Sequence, residues 1–165
     1  MAFPLGAPTT LSIPKGGDAI YVAAIPLRAA KGPAQMLMSA AYSLNMWDLQ
    51  HYMVIISTTP PPQAFVFDFQ PQDPENMYVA LAALSSRGVP GVVLVRKLRK
   101  LPKRKCWFVG FSRGDSIEKA NKFNESWQTE LSIGQHDCRD YTNGLVEHLT
   151  GEKHVLDRLR TSSDG

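Results

Sequence analysis

The sequence predicts an α+β domain: an antiparallel sheet of about four to five strands with helices packed on one face. Three observations predict it. Two β-rich runs, 51–57 and 63–70, flank a proline turn. Two more strand-like runs follow, over 91–95 and 105–112. The chain then closes with two capped amphipathic helices. Its 165 residues suit one domain. The expected division is an irregular arm over 1–18, the domain over 19–160 and a tail over 161–165.

The arm is punctuated by Pro4, Pro8, Pro14 and the Gly16-Gly17 pair. AIYVAAIPLR (19–28) reads as a strand closed by Pro26. A long connection rich in Ala and Met leads to Gln50, with helical character near 34–42. HYMVIIS (51–57) is β-branched and aromatic. QAFVFDFQ (63–70) alternates, with Phe65, Phe67 and Phe69 on one face and Val66, Asp68 and Gln70 on the other. The two runs should pair as a hairpin. PENMYVALAALSS (74–86) carries helix punctuation: Pro and Glu at its start and Gly88 past its end. The leucines of VRKLRKL (95–101) are three apart, which fits neither a clean strand nor a long helix. KCWFVGFS (105–112) returns to strand character.

Asp115 and Glu118 form a capping-box pattern for a helix reaching about Gln128, with Ile117, Ala120, Phe123, Asn124 and Trp127 on one side. Asp137 should cap a last long helix over 138–150, closed by Gly151. A further turn is expected over 154–160.

Composition narrows the function classes. The chain is 44% hydrophobic and 20% charged, ordinary for a folded protein and unlike a disordered one. Two cysteines are no disulfide framework, so both are expected as thiols in a reducing, intracellular compartment, cytoplasmic or organellar. The longest uncharged stretch, 49–67, contains three consecutive prolines and no spanning helix is expected there. The net charge of +3 hides an asymmetry. Residues 76–114 hold nine basic side chains and no acidic one, and the other nine basic residues face fifteen acidic ones. The protein is a mildly acidic body with one cationic stripe.

Cys138 is the first candidate for chemistry. It falls in the first turn of a capped helix, where unpaired N–H groups favour thiolate over thiol and can also stabilise an oxyanion. The polar run Gln135-His136-Asp137 before it and Arg139-Asp140 after it suggest partial exposure. Cys106, beside Trp107 and Phe108, looks like an ordinary packed thiol. A thiolate nucleophile needs a base. His148 and His154 should lie on the surface, and His136 is too close along the chain for good geometry. His51 opens an apolar strand and needs a polar partner, which a thiolate on the packed helix supplies; the bland alternative is a strand-end histidine facing water. Asp68, between two phenylalanines on the neighbouring strand, or Gln70 on the same face, is placed to hold the imidazole in its tautomer. An aspartate paired with a nearby Lys or Arg is the other reading of Asp68. The histidines and cysteines lack zinc-type spacing, and neither metal nor cofactor is expected.

The order of HYMVII, a hairpin, and a later helix led by HDCRDYTNGL resembles the circularly permuted papain-like proteins. That superfamily includes the LRAT-like acyltransferases and phospholipases and the deSUMOylating peptidases. The resemblance covers roughly 51–150. It implies a permuted papain-like fold, with Cys138 as nucleophile, His51 as base and the polar third residue at Asp68 or Gln70. The implied activity is a hydrolase, thiol protease or acyltransferase that attacks an amide, ester or thioester carbonyl of a peptide or acyl substrate. The second histidine common among LRAT-like members has no counterpart here, and the residues flanking Cys138 depart from the Asn-Cys-Glu-His-Phe pattern.

The cationic stripe consists of Arg96, Lys97, Arg99, Lys100, Lys103, Arg104 and Lys105, expected on an exposed loop. An anionic membrane surface or an acidic protein is the partner it suits, and a non-catalytic binding module acting through 96–105 is the alternative function. A solvated loop that aids solubility is the plain reading. Salt-dependent binding to a nucleic-acid backbone is a further reading, but no recognition motif accompanies the stripe and base-specific reading is not expected.

Overall fold

The structure is a computed structural model that describes residues 17–26, 50–59, 62–73 and 87–163. The expected helix over 74–86, most of the arm and the connection over 29–49 lie outside these residues.

β1 (Gly17–Pro26) is apolar and ends on proline, as the sequence pattern requires. β2 (Gln50–Thr58) and β3 (Gln63–Pro71) form the expected antiparallel hairpin, with Val54 opposite Phe67 and Ile56 opposite Phe65. β4 (Val89–Leu98) pairs antiparallel with β3, and β5 (Cys106–Arg113) pairs antiparallel with β1. Together with the two-residue β6 (Glu130–Leu131), they give one antiparallel sheet of six described strands in the order β5-β1-β2-β3-β4-β6.

Two expectations are corrected here. The sheet has one strand more than the four to five anticipated, because β6 is too short to leave a sequence pattern. It forms because Val89 and Pro90 pair with it and the Gly91 N–H donates to the Thr129 carbonyl at 2.7 Å. The run 95–101 is strand as far as Leu98, so Arg96 and Lys97 belong to β4 and not to a loop. Pairing of Arg96 with Val66 and Lys97 with Phe65 overrides the irregular local pattern.

Three described helices follow the caps. α1 (Ser116–Ser126) starts where the Asp115 carboxylate accepts the Glu118 N–H. α2 (Cys138–Thr150) ends at Gly151, whose φ of 81° is the left-handed conformation that glycine adopts without a Cβ penalty. α3 (Val155–Ser163) is longer than the single turn expected over 154–160.

Each face of the sheet carries a buried cluster. On one, α2 lies across β1, β2, β3 and β5. There Ile20, Val22, Val54, Phe67 and Phe69 meet Tyr141, Leu145 and Val146 in a core that excludes water. Asn124 on α1 accepts the Tyr141 hydroxyl at 2.6 Å, so the polar tip of this core ring has a partner. On the opposite face Ala23, Met53, Ile55 and Val66 form a second buried cluster, with Leu98, Leu101 and Cys106 packed on it.

Candidate active site

The local sequence builds the tip of α2 tightly. Asp137 accepts the Arg139 N–H at 2.9 Å and the Gly134 N–H at 2.8 Å, and its own N–H donates to Asp140 at 3.0 Å. The Arg139 guanidinium adds an ion pair with Asp137 at 2.9 Å. Burial works against the Asp137 charge, but Arg139 and these backbone donors hold its carboxyl below the usual carboxylate range. Burial instead raises the carboxyl of Asp140 above that range. The cap thus fixes the orientation of the first turn, which carries Cys138.

Cys138 is 7% exposed, which corrects the partial exposure expected from its polar neighbours. The reason is the helix period: the polar flanks occupy other sides of the helix, and Cys138 shares the inward face with Tyr141, Thr142 and Leu145. Its surroundings are not purely hydrocarbon. Sγ lies 3.9 Å from the Gln50 carbonyl oxygen, at the start of β2.

His51 follows Gln50 in β2 and is buried. Its Nε2 lies 3.7 Å from Oδ2 of Asp68, which is 1% exposed on β3. Burial disfavours a charged imidazole, yet the nearby Asp68 carboxylate and the neighbouring Cys138 side chain outweigh it and push the His51 pKa from 6.5 up to about 9. Cys138, beside the Gln50 carbonyl, and the next strand residue His51 with Asp68 near its ring, far apart along the chain, are therefore brought to one end of the sheet. Of the two candidates on β3, Asp68 is the one that reaches the ring.

Sequence reasoning missed Arg96. From β4 its guanidinium donates to the same Asp68 Oδ2 at 3.0 Å. Both readings of Asp68 therefore hold in part: it has an arginine partner, and it also approaches the histidine. The imidazole Nε2 and Asp68 Oδ1 are buried with no hydrogen-bond partner. The alternation of β3 places Asp68 and Val66 on one face, and the register opposes Val66 to Arg96, but only the pairing of β3 with β4 brings the guanidinium there.

The remaining histidines serve other roles. His136 stacks on Trp127 at 4.2 Å, and its Nε2 meets the Gln128 carbonyl at 2.7 Å. His148, in the last turn of α2, and His154 are exposed. Cys106 lies at the start of β5, and burial pushes its thiol pKa up. A depression of about 490 Å³ lined by Gly17, Phe111, Arg113, Lys119, Leu149 and Thr150 lies at the opposite end of β1 from the segment that pairs with His51. Among the described residues no cluster of three or more His, Cys, Asp or Glu is arranged to hold a metal ion, and no helix is long and apolar enough to cross a membrane. No protein-family model, curated protein or solved structure matches this chain.

Proposed function

We infer that the protein is a cysteine-nucleophile hydrolase or acyl-transfer enzyme on a circularly permuted papain-like scaffold. The observation that carries this reading is that Cys138, at a capped helix tip, lies against the Gln50 carbonyl, one residue before a buried His51 that has Asp68 3.7 Å away. An imidazole with a pKa of about 9 holds a proton at neutral pH, which it can give to a leaving group.

In the proposed reaction the Cys138 Sγ lone pair attacks the carbonyl carbon of an amide, ester or thioester. The carbonyl π electrons move to oxygen. The Asp137 cap engages the Arg139 N–H and leaves the Cys138 N–H free of that duty, so it is the natural oxyanion donor. As the tetrahedral intermediate collapses, the bond to the leaving group breaks and His51 gives that group its proton. The acyl group now sits on sulfur as a thioester. His51, neutral, takes a proton from water or another acceptor, which attacks the thioester carbonyl and restores the thiolate. Asp68 orients the ring and stabilises its positive charge.

Accessibility and activation point in opposite directions, which makes a decisive test. Cys106 is the more exposed thiol, whereas Cys138 has the imidazole. Mass-spectrometric rates of iodoacetamide alkylation at pH 7 should show Cys138 reacting faster than Cys106. His51→Ala should slow Cys138 by about tenfold or more, in the range of a lost acid–base partner. Equal rates at the two thiols, or no response to His51→Ala, would defeat the enzymatic reading.

A further inference from the structure

We propose that the sheet face opposite the helices is a docking surface for anionic phospholipid membranes, formed by the cationic crossover between β4 and β5 together with the exposed pair Phe108 and Phe111. It does not rest on the chemistry of Cys138.

The topology creates the surface. β4 and β5 lie on opposite sides of β3, β2 and β1 in the sheet, so the chain between Leu98 and Cys106 has to cross three strands. It crosses the face away from the helices: Leu98, Leu101 and Cys106 pack on Ala23, Met53, Ile55 and Val66. The Ala24 N–H donates to the Lys105 carbonyl at 2.9 Å and ties down its far end. The leucines three apart thus anchor a strap. Arg99, Lys100, Lys103, Arg104 and Lys105 are all exposed along it. No acidic residue occurs anywhere from 76 to 114. Among the described residues none of these five cations has an ion-pair partner, whereas Arg96 is engaged by Asp68. Their charge is left uncompensated.

Beside the strap's end, β5 presents an apolar contribution. Phe108 is 50% exposed and Phe111 44%. Their rings meet edge to face at 5.0 Å, and Phe108 meets Tyr21 edge to face at 5.7 Å. Tyr21 packs on the same cluster as the strap, so the rings and the cations share one face. Cations beside protruding aromatic side chains match a membrane, where phosphate headgroups lie above the acyl boundary. Single-stranded nucleic acid asks instead for open ring faces as stacking platforms. Here the rings turn edges and faces on one another and form a hydrocarbon knob.

The test is co-sedimentation of the full chain with vesicles of phosphatidylserine and phosphatidylcholine in roughly a 3:7 ratio, beside pure phosphatidylcholine vesicles. Binding should require phosphatidylserine and fade at about 0.5 M salt. Lys100→Glu with Lys103→Glu and Arg104→Glu should weaken it roughly a hundredfold. Phe108→Ser with Phe111→Ser should weaken it about tenfold. All five positions are exposed, and unchanged thermal melting of each variant verifies its fold. Absence of binding to the anionic vesicles overturns the proposal, as does binding that withstands the charge reversal. Loss in the charge variant alone removes the phenylalanines from the surface. A single-stranded RNA oligonucleotide that binds where vesicles do not assigns the face to nucleic acid.

Discussion

Asp68 Oδ2 accepts from the Arg96 guanidinium at 3.0 Å, while His51 Nε2 lies 3.7 Å from the same oxygen. The carboxylate is thus shared between a cation that is largely in solvent and an imidazole that is not. The guanidinium draws on the negative charge that would otherwise favour the protonated ring.

Arg96→Gln should therefore raise the His51 pKa above its value of about 9, because Asp68 is freed to close on the ring. Arg96→Lys should leave it nearer the native value, since a cation is retained. Asp68→Asn should lower it. The groups that bear on the ring are Asp68 from β3 and Cys138 from α2, with Arg96 from β4 acting through Asp68. Titration of the imidazole ¹⁵N shifts by NMR reads all three variants. A fall on Arg96→Gln would mean that the guanidinium presents the carboxylate to the ring instead of competing for it.

Stability should depend on pH through the same ring. The His51 pKa is raised in the folded state, from 6.5 to about 9. Its stabilising contribution is complete below pH 6.5 and is lost as pH rises through 9. The size of the shift corresponds to about 3 kcal/mol. Urea unfolding should show the free energy falling over this window, and His51→Gln should flatten the fall.

The cap of α2 couples helix stability to thiol placement. Asp137→Ala removes the acceptor for the Arg139 and Gly134 N–H groups and the ion pair with Arg139. A loss of about 1–2 kcal/mol is expected. Asp137→Asn keeps a capping oxygen and should cost less. Thermal melts compare the two, and alkylation rates at Cys138 report whether the loosened tip also slows the thiol.

Gly91 makes room for a crowded junction. A Cβ there would lie 2.6 Å from the Thr129 carbonyl oxygen and 2.7 Å from the Phe69 ring. Gly91→Ala should destabilise the protein by about 1–3 kcal/mol, as overpacking does. Phe69 also packs edge to face on Trp127 at 5.6 Å, so loss of Trp127 fluorescence anisotropy or a shifted emission should accompany the lower melting temperature.

Much of the candidate site was legible along the chain. The Cys138 helix begins at Asp137 and ends at Gly151 where the capping residues require. Asp68 and His51 fall on adjacent paired strands, as the hairpin pattern implied. What escaped the pattern was the second partner of Asp68. Nothing in the local surroundings of Arg96 distinguishes it from Lys97 or Arg99, and only cross-strand placement selects it. The burial of Cys138 escaped for a related reason: neighbours in sequence describe the sides of a helix, whereas exposure depends on what the inward side packs against.

By itself the sequence determined the local elements: the α+β composition, the hairpin, and the helix ends at Asp115, Asp137 and Gly151. Caps and alternation act over a few residues, through hydrogen bonds and side-chain direction that any short segment already specifies. Only the tertiary structure decided the strand order, the strap that crosses the sheet, the β6 pairing, and the joining of Cys138, His51, Asp68 and Arg96. Those depend on which surfaces bury one another across long stretches of chain, a balance of packing and loop closure that no local pattern encodes.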